Sequence, residues 1–164
     1  MFTGIIREIG TVVRTERSNG LIHAAIRAPK TASIVQPLES VSVSGVCLSV
    51  VRVRDGALWL DMIPETQQVT TLKRMRSGDR VNMEPSLSLT DRLNGHVVLG
   101  HVDGVGTVAK RREVAGERVL EIRVPAALRR WLVPKGPVTV NGVSLTIGRM
   151  LTRSTFFIHL IPET

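Results

Sequence analysis

Alternating apolar and polar residues, in short runs separated by turn residues, fill most of the chain. An alternation with a period of two is typical of half-buried β-strands. In the first half it predicts strands over residues 4–14, 22–27, 40–53, 57–63 and 80–84, with an Asp55-Gly56 hairpin turn between two of them. In the second half it predicts strands over residues 101–110, 118–124, 138–147 and 156–161.

Helical patterns are few and short. Residues 65–75 predict a helix capped by Thr66 and ending before Ser77-Gly78, and residues 125–132 predict another that begins with Pro125. Residues 29–34 match the second pattern more weakly. Successive antiparallel strands with short helices predict an all-β protein made of small barrels or sandwiches.

The pattern occurs twice along the chain. Val41-Ser-Val-Ser-Gly-Val-Cys-Leu-Ser-Val50 returns 97 residues later as Val138-Thr-Val-Asn-Gly-Val-Ser-Leu-Thr-Ile147. Ile63-Pro-Glu-Thr66 returns as Ile161-Pro-Glu-Thr164, and Ile9-Gly-Thr-Val12 returns as Val105-Gly-Thr-Val108. Matched blocks at nearly constant spacing indicate a tandem duplicated domain. We expect a first domain over residues 1–86, a linker over 87–97 and a second domain over 98–164.

The second copy has no counterpart of residues 67–86, and we therefore expect its barrel to be incomplete at the C-terminal end. An incomplete barrel exposes an unpaired strand edge and part of its core. Three accounts stay open: a naturally short relative, a shortened chain, or a barrel that another chain completes by pairing or swapping.

The repeated strand carries the most chemistry. Its apolar residues point one way and small polar residues the other, with the phase slipping by one residue at Ser44-Gly45, which predicts a bulge or tight bend. The polar face contains Ser40, Ser42, Cys47 and Ser49 in copy one, and Thr139, Asn141, Ser144 and Thr146 in copy two. Either these are solvated faces of ordinary barrel strands, or they bind a polar ligand. The absence of long charged side chains on both faces favours a ligand.

Composition narrows the functional classes. The net charge of +8 suits an acidic or phosphate-bearing partner, but aromatic residues are only 3% and no basic arm or docking helix stands out, so nucleic acid is disfavoured. No apolar run is long enough to cross a membrane. A single cysteine gives no sign of secretion, and a cytoplasmic location is expected. His96, His101 and Asp103 are too few for a metal site, and the glycines near them form no dinucleotide-binding motif.

Several motifs together resemble a known family. They are Met1-Phe-Thr-Gly-Ile-Ile6, Gly45-Val-Cys-Leu-Ser-Val50, Gly95-His-Val-Val-Leu-Gly-His-Val-Asp-Gly104, Lys135-Gly136 and Asn141-Gly-Val-Ser-Leu-Thr146. In order, spacing and duplication they resemble riboflavin synthase of the alpha-chain type, within the lumazine-binding family, over essentially the whole chain. The resemblance implies two six-stranded antiparallel Greek-key barrels, each holding one molecule of 6,7-dimethyl-8-ribityllumazine. It also implies transfer of a four-carbon unit between two such molecules, giving riboflavin and a ribitylamino-pyrimidinedione without metal or cofactor.

The same resemblance implies which residues act. The catalytic set would be Ser40, Cys47, His101, Ser144 and Asn141, and the substrate-binding set would be Phe2, Ser49, Met62, Thr66, Lys135, Thr146, Ile161 and Thr164. Family members assemble as homo-oligomers with an active site between barrels of neighbouring subunits, and lumazine synthase is a further expected partner. Asn141 stands where the family usually has aspartate, and an amide cannot take up a proton. The alternative function is therefore a non-catalytic lumazine or flavin binder with a degraded second site.

Overall fold

The computed structural model describes residues 1–114, 116–152, 154–162 and 164, and their strands make the protein mostly β. In chain order the strands are β1 Glu8–Ser18, β2 Leu21–Arg27, β3 Ser40–Val43, β4 Val46–Arg54, β5 Ala57–Met62, β6 Arg80–Pro85, β7 Thr107–Val114, β8 Glu117–Arg123, β9 Pro137–Val140, β10 Val143–Thr146, β11 Met150–Thr152 and β12 Thr155–Leu160. Helix α1 spans Pro29–Ala32 and α2 spans Pro64–Val69, and two 3₁₀ helices span Thr71–Arg74 and Ala126–Trp131. Within the described residues, no helix combines the length and apolar character needed to cross a bilayer.

The chain divides into two compact units. The first comprises Met1–Val102 and Thr139–Val143, and the second comprises Asp103–Val138 and Ser144–Thr164. The expected division at residues 86 and 98 stays a prediction about the domains.

The first unit contains a closed barrel with the strand order β1-β2-β5-β4-β3-β6. β3, β4 and β5 follow one another through hairpins, and β6 returns beside β3, which is the Greek-key arrangement. β6 also pairs with β1, with Glu8 opposite Met83, and this pairing closes the barrel. The expected all-β barrel fold is confirmed in this unit.

Two tight turns set the register of the central hairpins. Ser44 and Gly45 have φ angles of 48° and 88°, and Asp55 and Gly56 have φ angles of 51° and 71°. Two successive left-handed residues match the right-handed twist of the flanking strands, which is why glycine occupies the second position of each turn. The hairpin turn expected at Asp55-Gly56 is confirmed.

The barrel interior is apolar and closely packed. Alternate residues of the six strands point inward, and the largest side chains without solvent access include Ile22, Ile26, Leu58, Leu60, Met62 and Met83. Val41, Val43, Val46, Leu48 and Val50 continue this core along β3 and β4. The apolar face expected for the repeated strand is therefore the inside of the barrel.

The second unit has a more open sheet. β11, β12, β8 and β7 pair in that order. β9 pairs with β10 in a two-stranded sheet, of which Thr139–Val143 belong to the first unit. Val119, Ile122, Ile147, Phe156 and Ile158 are buried in this unit, but Val138 and Leu145 are only half-buried. The expectation of a less complete second barrel is confirmed for the described residues.

Several expected boundaries were wrong. The first strand begins at Glu8 rather than residue 4, and the seventh begins at Thr107 rather than 101. The segments 40–53 and 138–147 are each a hairpin of two strands, because the Ser44-Gly45 and Asn141-Gly142 pairs adopt left-handed turns rather than bends.

The predicted helices also differ in detail. The helix expected over residues 65–75 begins instead at Pro64, after Ile63, so Thr66 lies inside it and is not its cap. The extended backbone of Thr70, with φ −126° and ψ 162°, ends α2 and separates it from the 3₁₀ helix Thr71–Arg74. Pro125 precedes the 3₁₀ helix Ala126–Trp131 instead of being its first residue.

Candidate functional site

The polar face of the first repeated strand lies on the outside of the barrel. Antiparallel pairing of β3 and β4 sets Ser40 opposite Ser49 and Ser42 opposite Cys47. Ser49 is exposed, Ser40 and Cys47 are half-buried, and Ser42 is 1% exposed. The structure thus brings the four small polar residues together on one face of β3 and β4, and at Ser42 this face is shielded from solvent.

The segment around Gly100 lies against Cys47. The backbone N–H of Cys47 donates to the carbonyl of Gly100 at 2.9 Å. A Cβ added to Gly100 would lie 2.6 Å from the Cβ of Cys47 and 3.0 Å from Cε2 of Phe2, so only glycine fits this contact. His101 follows Gly100 directly in the chain and is exposed.

The N-terminal residues lie next to this segment. Phe2 has no solvent access, and it exchanges two backbone hydrogen bonds with Val98 at 2.7 and 3.0 Å. Thr3 and Gly4 are held by Glu84 on β6, whose side chain is almost completely buried. Phe2, Cys47 and Gly100 therefore form one packed cluster.

Asn141 lies in the β9–β10 turn, which belongs to the same unit. Its φ of 53° is left-handed, a conformation that asparagine tolerates better than most residues. Its carbonyl accepts a hydrogen bond of 2.9 Å from Nδ2 of Asn82, and its own side chain is exposed.

The β3–β4 and β9–β10 turns touch glycine to glycine. A Cβ on Gly45 would lie 2.7 Å from the backbone nitrogen of Gly142, and a Cβ on Gly142 would lie 2.8 Å from that of Gly45. Neither turn has room for a side chain at this point.

His96 lies half-buried between two polar partners. Its backbone N–H donates to the carbonyl of Thr3 at 3.2 Å, and its Nε2 shares a hydrogen bond of 3.0 Å with the Thr139 hydroxyl. Burial lowers the pKa of His96 because the imidazolium loses hydration. His96 is therefore held in its neutral form more firmly than a solvent-exposed histidine.

Two of the expected binding residues lie away from the polar face. The side chain of Met62 is inside the barrel core, while its carbonyl accepts a hydrogen bond of 2.9 Å from Nε2 of Gln67. Thr66 is half-buried on α2, and its carbonyl accepts the hydroxyl of Thr70 at 2.8 Å. Their predicted contact with a ligand stays a prediction.

In the second unit the equivalent polar residues lie on β10. Ser144 is half-buried and Thr146 is exposed, two residues apart and so on one face of the strand. The backbone N–H of Lys135 donates to the carbonyl of Ile147 at 2.9 Å, which places Lys135 at the end of β10. Ile161 and Thr164 are exposed beyond β12, and Glu163 of the repeated Ile-Pro-Glu-Thr motif is outside the described residues.

Sequence reasoning missed Glu84 and Gly100. A buried carboxylate with its partners 80 and 81 residues away leaves no local signal, because only the fold brings Thr3 and Gly4 to β6. Gly100 occurs in a glycine-rich motif, but glycine is required there because a Cβ would overlap with Cys47. The sequence pattern around Gly100 does not indicate this contact. Among the described residues, no group of three His, Cys, Asp or Glu side chains is arranged to hold a metal ion.

The lumazine binding domain model matches residues 3–86 and 99–164, which is most of the chain and both copies of the repeat. The chain belongs to the lumazine-binding family. Riboflavin synthases are among its relatives in this family. That of Mycobacterium tuberculosis (strain ATCC 25618 / H37Rv) is 39% identical, with the alignment covering 100% of this chain and 83% of the relative. That of Bacillus subtilis (strain 168) is 36% identical, covering 100% of this chain and 76% of the relative.

Solved structures share the fold of this chain. The crystal structure of LumP complexed with 6,7-dimethyl-8-(1'-D-ribityl) lumazine matches with a TM-score of 0.87 and 24% identity, covering 98% of this chain and 87% of LumP. LumP complexed with riboflavin matches with a TM-score of 0.88, also at 24% identity, covering 97% of this chain and 86% of that chain. LumP therefore has the same fold as this chain.

Proposed function

We propose that this chain is a riboflavin synthase, which transfers a four-carbon unit between two molecules of 6,7-dimethyl-8-ribityllumazine. The products would be riboflavin and a ribitylamino-pyrimidinedione. One observation carries the proposal: riboflavin synthases match the chain along its whole length. The repeated strand supports it, because each copy has a face of small polar side chains suited to one of two identical ligands.

The proposed reaction depends on how the two lumazine molecules are positioned rather than on the chemistry of a cofactor. The two products together contain every atom of two substrate molecules, so the transfer consumes no oxidant or reductant. Holding two ring systems in near-attack geometry can lower the barrier by about 7–11 kcal/mol. The remaining chemistry is removal of a proton from an acidic methyl group and attack of the resulting carbanion on the second lumazine, both open to general acid–base assistance.

The proposed roles follow from the groups on each face. Ser40 and Cys47 would orient or activate the acceptor lumazine, and the exposed imidazole of His101 or the hydroxyl of Ser144 would carry protons. Asn141 would donate or accept hydrogen bonds without taking up a proton. Ligand contacts would come from Phe2, Ser49, Met62 and Thr66 in copy one, and from Lys135, Thr146, Ile161 and Thr164 in copy two.

A second candidate function is binding of lumazine or flavin without turnover. Asn141 favours it, because its exposed amide replaces a carboxylate at a position of the predicted catalytic set.

One incubation separates the two functions. The purified protein is mixed with excess 6,7-dimethyl-8-ribityllumazine, and absorbance and fluorescence are followed over many enzyme equivalents. We expect the lumazine to disappear with about half its molar amount returning as riboflavin, from the stoichiometry of two substrates to one product. Stable bound fluorescence without conversion would overturn the synthase proposal and leave the binder.

Substitutions at Cys47 and His101 test the proposed site. His101→Ala is expected to lower kcat by about a hundredfold if the imidazole transfers a proton, and Cys47→Ala is expected to weaken conversion or lumazine binding. His159→Ala is the control, since His159 is an exposed histidine on β12 paired with Glu117. Unchanged kinetics in both site variants would remove the assignment.

We also propose that the protein forms a homo-oligomer in the cytoplasm and meets lumazine synthase, whose product it would consume. Small barrels with limited cores gain stability by association. Light scattering of the purified chain measures the assembly, and a monomeric mass would contradict it.

A further inference from the structure

A buried carboxylate ties the beginning of the chain to the sixth strand. Oε1 of Glu84 accepts hydrogen bonds from the backbone N–H of Thr3 at 2.7 Å and from the Thr3 hydroxyl at 2.8 Å. Oε2 accepts the N–H of Gly4 at 3.0 Å. Glu84 is 4% exposed, so these bonds are made away from bulk water, where charge-assisted hydrogen bonds are strong.

The residues held in this way continue directly into the cluster at Cys47. Phe2 precedes Thr3 and pairs with Val98 through backbone hydrogen bonds. Its Cε2 lies 3.0 Å from the position that a Cβ on Gly100 would occupy, and the Cβ of Cys47 lies 2.6 Å from the same position. Fixing Thr3 and Gly4 therefore fixes where the Phe2 ring lies relative to the Cys47 thiol.

We propose that Glu84 is a positioning residue for the proposed lumazine site, holding Phe2 against the Cys47 face without touching ligand itself. This inference rests on the proposed function for its catalytic consequence, but the tether itself can be tested separately. Its geometry is specific, since three N–H or O–H donors of two adjacent residues converge on one carboxylate. An amide at this position would turn one NH₂ group toward an N–H donor and lose at least one bond.

The chain contains one cysteine, so a thiol reagent reports on Cys47 alone. We compare the rate of reaction with 5,5'-dithiobis(2-nitrobenzoate) in wild type, Glu84→Gln and Glu16→Gln, all under folded conditions. Glu16 is an exposed carboxylate on β1 of the same barrel, bonded to Arg14, and serves as the control. Losing at least one of these hydrogen bonds should raise the frequency of local opening, and with it the rate of thiol reaction, about tenfold in Glu84→Gln.

Thr3→Val keeps the N–H of Thr3 and removes its hydroxyl, which donates to Glu84 at 2.8 Å and accepts from the N–H of Ile5 at 3.3 Å. It is expected to raise the thiol rate about threefold, and it decides the question should Glu84→Gln fail to fold. Combined with Glu84→Gln it should add little, because both changes break the same contact.

Two results would overturn the proposal. One is an unchanged thiol rate in the folded variants, and the other is an equal rise in Glu16→Gln. Where wild type forms riboflavin, kcat is measured at a temperature well below the melting temperature of each variant. Under these conditions Glu84→Gln should lower kcat, while Glu16→Gln leaves kcat unchanged. A wild type that forms no riboflavin would sink the proposed function and leave the thiol comparison as the test of the tether.

Discussion

At the scale of single residues, close contact with neighbouring atoms determines that position 100 must be glycine. Gly100 is required because its Cβ position is occupied by Cys47 and Phe2, and its φ of 78° is left-handed. The same φ region occurs at Gly78, where nothing lies within 4 Å of an added Cβ. This pair separates the effect of steric overlap from the effect of backbone strain.

We predict that Gly100→Ala lowers the free energy of unfolding by about 2–4 kcal/mol, because strain and overlap act together. Gly78→Ala should cost only about 1–2 kcal/mol, from strain alone. Denaturant unfolding of the two variants measures both values. Equal losses would show that the segment at Gly100 moves away from Cys47 freely.

His96 should make stability depend on pH. Its pKa is lowered in the folded protein from the ordinary value of 6.5, so the unfolded chain binds more protons in the window just below that value. Stability contributed by neutral His96 is therefore complete above pH 6.5 and is lost as the pH falls through the folded pKa.

The measurement compares wild type with His96→Gln at about pH 8 and about pH 5.5 by denaturant unfolding. Wild type should lose more stability on acidification than the variant, whose amide does not titrate. An identical loss in both proteins would show that His96 does not couple to folding.

At the scale of elements, the sequence predicted which segments are strands but not where each one ends. Alternation located β2, β5 and β6 within a residue or so, because their inward residues are apolar without interruption. At Ser44-Gly45 a phase slip of one residue is compatible with a bulge and with a turn, and only the left-handed φ of Ser44 distinguishes them. For the candidate site, the shared face of Ser40 and Cys47 follows from alternation, whereas the placement of Glu84 beside Thr3 depends on contacts across the fold.

A row of hydrogen bonds braces three neighbouring strands on the outside of the barrel. The Ser18 hydroxyl lies 2.9 Å from Nε2 of His23, and Nδ1 of His23 lies 2.7 Å from Asp61. The order of groups matches a hydrolase triad, but the shallow cavity beside His23 is lined by Val51, Arg52 and Trp59 and not by Ser18. We interpret the row as a brace between β1, β2 and β5.

Removing the brace should therefore destabilise the barrel without changing ligand chemistry. His23→Ala is predicted to lower the free energy of unfolding by about 1 kcal/mol, since it breaks two partly exposed hydrogen bonds. His159→Ala breaks a single pair with Glu117, which is more exposed than the pair of His23 with Asp61. It should therefore lower the free energy of unfolding by less than about 0.5 kcal/mol. Thermal unfolding compares them, and a larger loss in His159→Ala would contradict the brace.

At the scale of the whole molecule, the two copies of the repeated strand differ in how completely their apolar side chains are buried. Val41 in the first copy has no solvent access, while its counterpart Val138 in the second is half-buried. The first unit closes six strands into a barrel, and the second leaves β7 at the edge of its sheet within the described residues.

The same substitution should thus have different consequences in the two copies. Val41→Ala is predicted to lower the free energy of unfolding by about 2 kcal/mol, and Val138→Ala by less than about 1 kcal/mol, in proportion to the apolar surface each buries. Unfolding of each variant, followed by hydrogen exchange to resolve the two units, measures the difference. Equal losses would mean that Val138 is as well covered in solution as Val41.

The contact between Gly45 and Gly142 makes the two turns depend on each other. The residues before these glycines differ, Ser44 in one copy and Asn141 in the other, although both have left-handed φ angles. The two glycines occupy equivalent positions of the repeat, and each excludes a side chain on the other. A substitution at either glycine would therefore have to displace the backbone of both turns.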